Sequence, residues 1–283
     1  MRGAQGGASA PGARAPRAIL RRVATIVVSV VLVLAVGVLG TVGWIGSERA
    51  IHPKVAAYSW RLSAYPNLKP QDVTLVSQTH ITLAGRFFPG RSRTTIILSH
   101  GYGDNQDQML PWADFLNRAG YSVFTYDMRD RGHSGGDAVT LGALEQYDLE
   151  SVVSYVAARR DVDPRRIGAL GVSLGGAVTI LAAAADRRIK AVVDDCGFSD
   201  APRVIDAAFT YFIGLPAFPF APITVDLAQW RAGVNITNVR PVDKIALISP
   251  RPVFIIHGLA DKVVPPANSL RNFAAARPPK QLW

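Results

Sequence analysis

Short apolar runs alternate with stretches of helical period along most of this chain. VTLVSQ, HITLAGRFF, TTIILSH, YSVFTYD, RIGALGV, KAVVDD and PVFIIH are β-branched or apolar, bounded by turn residues, and predict strands. The first two follow one another directly and predict an antiparallel pair. Helical periodicity fills residues 106–119, 141–159, 174–185 and 267–276 between and after the later runs. This alternation predicts an α/β architecture with a mostly parallel, doubly wound sheet, its ligand site at the carboxyl ends of the strands. Residues 200–245 break the rhythm with a segment dense in aromatics and prolines, read as a small cap over the site. Within it Phe209, Tyr211, Phe212, Phe218 and Phe220 either pack the cap onto the core or line an apolar substrate pocket.

A different pattern occupies the N-terminus, where no charged residue occurs from Val23 to Gly46. About 24 residues at a rise of 1.5 Å make roughly 36 Å of helix, enough to cross a bilayer. The run exceeds the usual signal-peptide apolar region and no A-x-A-like cleavage site follows it closely, so a transmembrane anchor is expected. Arg2, Arg14, Arg17, Arg21 and Arg22 precede it, whereas Glu48 and Arg49 follow nearly balanced. The positive-inside rule then keeps the N-terminus cytoplasmic and places the rest of this single-pass chain outside the cell membrane. The expected organisation is a disordered basic segment at 1–22, a helix in the bilayer at 23–46, a proline-rich juxtamembrane connection at 47–72 and a catalytic domain at 73–283. The first 16 residues, rich in Gly, Ala and Pro, are expected to be disordered.

Composition narrows the functional classes. The chain has 283 residues, 49% of them hydrophobic and 18% charged, enough for one sizeable core. Half of the net charge of +10 comes from the five arginines ahead of the apolar run, so nucleic acid is not an expected partner. Cys196 is the lone cysteine, which excludes an intrachain disulfide. A buried, inert thiol is its expected role; as a nucleophile it would lack a neighbouring histidine in DDCGFSD. No cluster of histidines and carboxylates has metal-ligand spacing, so a metal-dependent enzyme is not expected. Asn235-Ile-Thr237 fits a glycosylation sequon, a triplet common by chance.

The chemistry centres on RIGALGVSLGG, a strand, a Gly-x-Ser-x-Gly turn and a helix start that place Ser173 at an exposed tip. Such a turn suits a serine nucleophile, which needs exposure and a paired base, while Gly171 and Gly175 let strand and helix approach closely. After the strand TTIILS come His100, Gly101, Tyr102 and Gly103, where a flexible loop can aim an amide at a developing oxyanion. Tyr102 N–H and Leu174 N–H are the expected oxyanion donors, and His100 braces the loop. Asp261, in HGLADKVVP straight after the strand PVFIIH, is placed to orient an imidazolium.

With HGYGDN, GVSLGG and HGLADKVVP in hand, the chain from about Val73 onward resembles the α/β-hydrolase superfamily, in the branch of serine-aminopeptidase-like and monoglyceride-lipase-like hydrolases. Its Asp-x-Arg-x-x-Gly-x-Ser motif is matched by Asp127, Arg129, Gly132 and Ser134. Asp130-Arg131 stand where the family often has Gly-His, and His133 lies off the family's histidine position. The resemblance implies hydrolysis of an acyl ester or an amide or peptide bond in a small substrate, through an acyl-enzyme, without metal or cofactor.

The family places its catalytic histidine after the last strand, yet His52, His80, His100, His133 and His257 all precede Asp261. After Asp261 come one helical segment and KQLW, which resembles the first residues of that last strand. The expectation is a C-terminally truncated hydrolase, with a non-catalytic binding or scaffold relative as the alternative. Without its base such a triad loses on the order of a million-fold in turnover, about 8 kcal/mol of barrier. His133 is a remote substitute. Substrate identity and oligomeric state stay open at this level.

Overall fold

The computed structural model describes residues 15–54 and 60–283. The chain divides into two units, residues 1–42 and 43–283. The first contains most of helix α1 (Ala15–Ile51), whose apolar side chains there are exposed, Val33 and Val36 among them. The uncharged stretch thus sits inside a longer helix of 37 residues, roughly 55 Å. The helix has the length and hydropathy to cross a membrane. The expectation of disorder over the first 16 residues falls, apart from Ala15 and Pro16, outside the described residues.

The second unit is built on an eight-stranded sheet. In chain order its elements are β1 (Gln71–Val76), β2 (Thr82–Phe88), β3 (Thr95–Ser99), α2 (Leu110–Arg118), β4 (Ser122–Tyr126), α3 (Glu145–Ala158), β5 (Ile167–Val172), α4 (Leu174–Ala185), β6 (Ile189–Asp195), α5 (Ala201–Ile213), α6 (Ala217–Ala232), α7 (Pro241–Lys244), β7 (Val253–Ile256), α8 (Ala267–Ala275) and β8 (Lys280–Leu282). The strand order is β1-β2-β4-β3-β5-β6-β7-β8. As expected, β1 and β2 pair antiparallel; β2 also runs antiparallel to β4, and every other pairing is parallel.

Successive strand residues point to opposite faces, and the core divides accordingly. Phe87, Ile97, Phe124 and Ala169 join the larger apolar cluster, which also holds residues of α3 and α4. Their neighbours Phe88, Leu98, Val123 and Leu170 join a second cluster with Met109, Leu110 and Ala113. Both faces being covered, the central strands read as continuous apolar runs rather than alternating ones. The region expected as a cap forms α5, α6 and α7 after β6. Of its aromatics, Phe209 is buried and stacks on Phe220 at 6.5 Å between ring centroids. Tyr211, Phe212 and Phe218 are exposed, and so belong neither to the core nor to an enclosed pocket.

Candidate active site

Ser173 stands between β5 and α4 with φ 55° and ψ −116°. That backbone is costly for a residue with a Cβ and persists only where the surroundings over-determine it. Here they do. A Cβ on Gly171 would lie 2.0 Å from the Gly175 carbonyl oxygen, and one on Gly175 2.1 Å from the Ser99 oxygen, so only glycines allow the closure. Ser173 N–H donates to the Asp195 carbonyl at 2.8 Å, fixing the turn to the end of β6. Leu174 N–H opens α4 and, as one of the first four amides of a helix, has no intrahelical acceptor.

The loop after β3 abuts this helix start, since the carbonyls of Ser99 and His100 both crowd Gly175. Gly101 N–H donates to Gln108 Oε1 at 2.6 Å, and Gln108 Nε2 to Asp104 Oδ2 at 2.6 Å, which fixes the loop from within. Tyr102 N–H finds no acceptor among the described residues, while its hydroxyl donates to the Arg49 and Ala50 carbonyls at 2.9 Å each. His100 has both ring nitrogens engaged: Nδ1 with the Gly101 carbonyl at 2.8 Å, and Nε2 accepting from Met128 N–H at 2.9 Å. Burial holds its pKa down at about 4, so the ring is neutral and spent on the loop.

Asp261 follows β7, where its Oδ1 accepts from the amides of Val263 and Val264 at 2.8 and 2.9 Å. Its Oδ2 lies 3.6 Å from His257 Nε2. The His257 ring is otherwise held by Ser269 and by the Val264 carbonyl. Among the described residues no histidine is hydrogen-bonded to Ser173 Oγ. His133 turns its ring to solvent, 82% exposed, with its Nδ1 3.6 Å from Asp127.

The Asp-x-Arg-x-x-Gly-x-Ser segment is a knot of buried polar groups. Asp127 accepts from Gln106 N–H at 2.8 Å, Gln106 Nε2 at 3.1 Å and His133 N–H at 2.9 Å. Arg129 meets Asp148 through two nitrogens, at 2.8 and 2.9 Å, and donates to Thr79 at 2.7 Å. Ser134 Oγ donates to the Asp127 carbonyl at 2.6 Å and accepts from Ala84 N–H at 2.9 Å. Gln106 and Asp148 are the partners that sequence reasoning missed, because each lies about 20 residues from its contact in the motif with no local pattern linking them.

Cys196 is, as expected, a free thiol in an unreactive state, partly buried beside the serine turn. It has φ 53° and donates its amide to the Ile256 carbonyl at 2.8 Å. Burial, and then the charge of Asp195, push its thiol up to about 12 while it bonds the Ser173 backbone. The side chain is therefore an uncharged neighbour of the serine turn.

Comparison with known proteins places this arrangement. A model of the prolyl oligopeptidase family matches residues 114–281, which include Ser173, Cys196 and Asp261. The chain belongs to the prolyl oligopeptidase family. Relatives include the uncharacterized protein YfhR of Salmonella typhimurium, 31% identical over 220 residues, covering 75% of this chain and 71% of YfhR. The uncharacterized protein MT2364 of Mycobacterium tuberculosis is 28% identical over 259 residues, covering 90% of this chain and 84% of MT2364. Among solved structures, the Pyrococcus furiosus esterase Pf2001 superposes with a TM-score of 0.69 at 24% identity, covering 83% of this chain and 88% of that one. The acetyl xylan esterase from Paenibacillus sp. R4 gives 0.61 at 17% identity, covering 87% and 85%. The fold of this prolyl oligopeptidase family member is accordingly that of the α/β-hydrolases, as the motifs implied.

Proposed function

We propose that this chain is a membrane-anchored serine hydrolase that cleaves an acyl ester or an amide or peptide bond through an acyl-enzyme. The observation that carries the reading is Ser173 itself, held in a strained turn at the N-terminus of α4 with the Leu174 amide beside it. Ser173 Oγ attacks the acyl carbon, its proton passes to a base, and the carbonyl electrons move onto an oxygen. The Tyr102 and Leu174 amides stabilise that oxyanion, and Asp261 orients the imidazolium. Collapse expels the alcohol or amine with the proton returned to it, and water then releases the acid. The helix over residues 23–46 lies in the bilayer, with the N-terminus cytoplasmic and the catalytic domain on the outer face.

Among the described residues no imidazole joins Ser173 to Asp261, so by themselves they should turn substrate over very slowly. A fluorophosphonate probe tests the nucleophile: the chain extended by a strand and a following Gly-His should be labelled at Ser173, and Ser173→Ala should abolish labelling. An extended chain that stays unlabelled while folded would overturn the reading. The alternative, a binding or scaffold protein on a hydrolase fold, is favoured instead if the gene has a stop codon directly after Trp283.

A further inference from the structure

The hairpin of α5 and α6 is unlike the rest of the surface. Its helices meet at 117° across Gly214–Pro216, and no charged residue occurs between Asp206 and Asp226. Around its tip, Tyr211 is 52%, Phe212 66% and Phe218 79% exposed, and Trp230 further along α6 is 74% exposed. Tyr211 and Phe212 contact only edge to face, 5.0 Å apart. A charge-free aromatic surface of this kind marks an interaction site.

Where α6 packs identifies the occupant. It lies against the last turns of α1: a Cβ on Gly43 would come within 2.7 Å of Ile223, and one on Gly46 within 2.8 Å of Thr224. The glycines are what let the two helices touch. Just beyond, Arg231 stacks over the Trp44 ring at 4.6 Å, donates to Ser47 Oγ at 3.0 Å and pairs with Glu48. So α6 crosses α1 where its uncharged run ends and its first acidic residue begins. In a helix that spans a bilayer, this is the headgroup level, the depth at which exposed Trp and Tyr concentrate.

We propose that the α5–α6 hairpin is an interfacial element, lying in the headgroup region of the bilayer that α1 crosses, with Tyr211, Phe212, Phe218 and Trp230 against lipid. The proposal rests on the reading of α1 as a membrane span. It commits to a lipid surface rather than a second protein because α6 is already fixed to the end of that span.

The test uses the full chain in phosphatidylcholine–phosphatidylglycerol vesicles with Cys196→Ser as background. Single cysteines introduced as Val31→Cys, Phe218→Cys and Arg165→Cys each carry a nitroxide label. Arg165, its side chain 87% exposed, precedes β5 at the amino ends of the parallel strands, whereas α5 follows the carboxyl end of β6, and is the aqueous reference. Oxygen partitions into lipid and a nickel chelate into water, so their relative collision rates report depth. The label at 218 should be relaxed several-fold less by the nickel chelate than the label at 165, and lie between 165 and 31 in depth. A label at 218 that matches 165 while 31 reads as lipid overturns the hairpin alone. Spin–spin broadening at 218, with both reagents excluded, would assign the surface to a second copy and also overturn it. If 31 reads as water, the span fails and the hairpin with it.

Discussion

The backbone of Gly175 lies so close to Ser99 that a Cβ at Gly175 would stand 2.1 Å from the Ser99 carbonyl oxygen. Because that oxygen belongs to β3, at the start of the loop that carries Tyr102, the contact fixes the distance between the loop and the serine turn. Gly175→Ala must push strand and helix apart, with an expected cost of roughly 3 kcal/mol. Chemical denaturation should show it as a lowered midpoint, and unchanged stability would disprove the close approach.

Arg129 and Asp148 form a buried two-point ion pair, 6% and 0% exposed. Removing one partner strands the other charge. Arg129→Met should therefore destabilise by about 3–5 kcal/mol, whereas Arg129→Met with Asp148→Leu should recover much of the loss. A urea-unfolding double-mutant cycle reads the difference; equal stability of the single and double variants would mean the pair is not desolvated.

Asp194 gives a pH dependence of defined sign. Burial pushes its carboxyl up to about 7 from an ordinary value near 3.8, so the folded protein holds a proton that the unfolded chain has released over that interval. Its contribution to stability is complete below about pH 4 and is lost as pH rises through 7. Asp194→Asn keeps an acceptor for Gly197 N–H and removes the titrating proton, while Asn272 Nδ2 keeps the Phe198 carbonyl as its acceptor. The variant should fold and lose the decline in stability between pH 4 and 7. Melting temperatures across that range measure it, and a variant with the parent's slope would rule Asp194 out as its source.

Cys196 should resist alkylation. With its thiol pushed up to about 12 by burial and by Asp195, iodoacetamide at neutral pH should react on the order of a thousand-fold more slowly than with a free cysteine. Unfolding should restore the ordinary rate. Mass spectrometry over a time course distinguishes this from a reactive thiol, which would label within minutes in the folded protein.

The sequence by itself determined whatever is carried by local pattern. Period and turn residues were sufficient for the strands, for the helix that begins at Leu174, and for the long apolar helix. The Gly171-Val172-Ser173-Leu174-Gly175 run was sufficient for a serine turn, because only glycines permit backbone contacts as short as those at Gly171 and Gly175. Tertiary structure decided whatever depends on partners distant in the chain. Asp127 and Arg129 were legible as a motif, yet their roles as a knot come from Gln106 and Asp148, each about 20 residues away. His100 was legible as a loop residue, but its neutrality follows from burial and from the Met128 amide that approaches from the next strand connection. The exit of α1 looked like a connection in the sequence. Folding makes it part of the unit that carries Ser173, with Tyr102 on the Arg49 and Ala50 carbonyls and Arg231 on Glu48, contacts that no local pattern encodes because they join residues 52 to 183 positions apart.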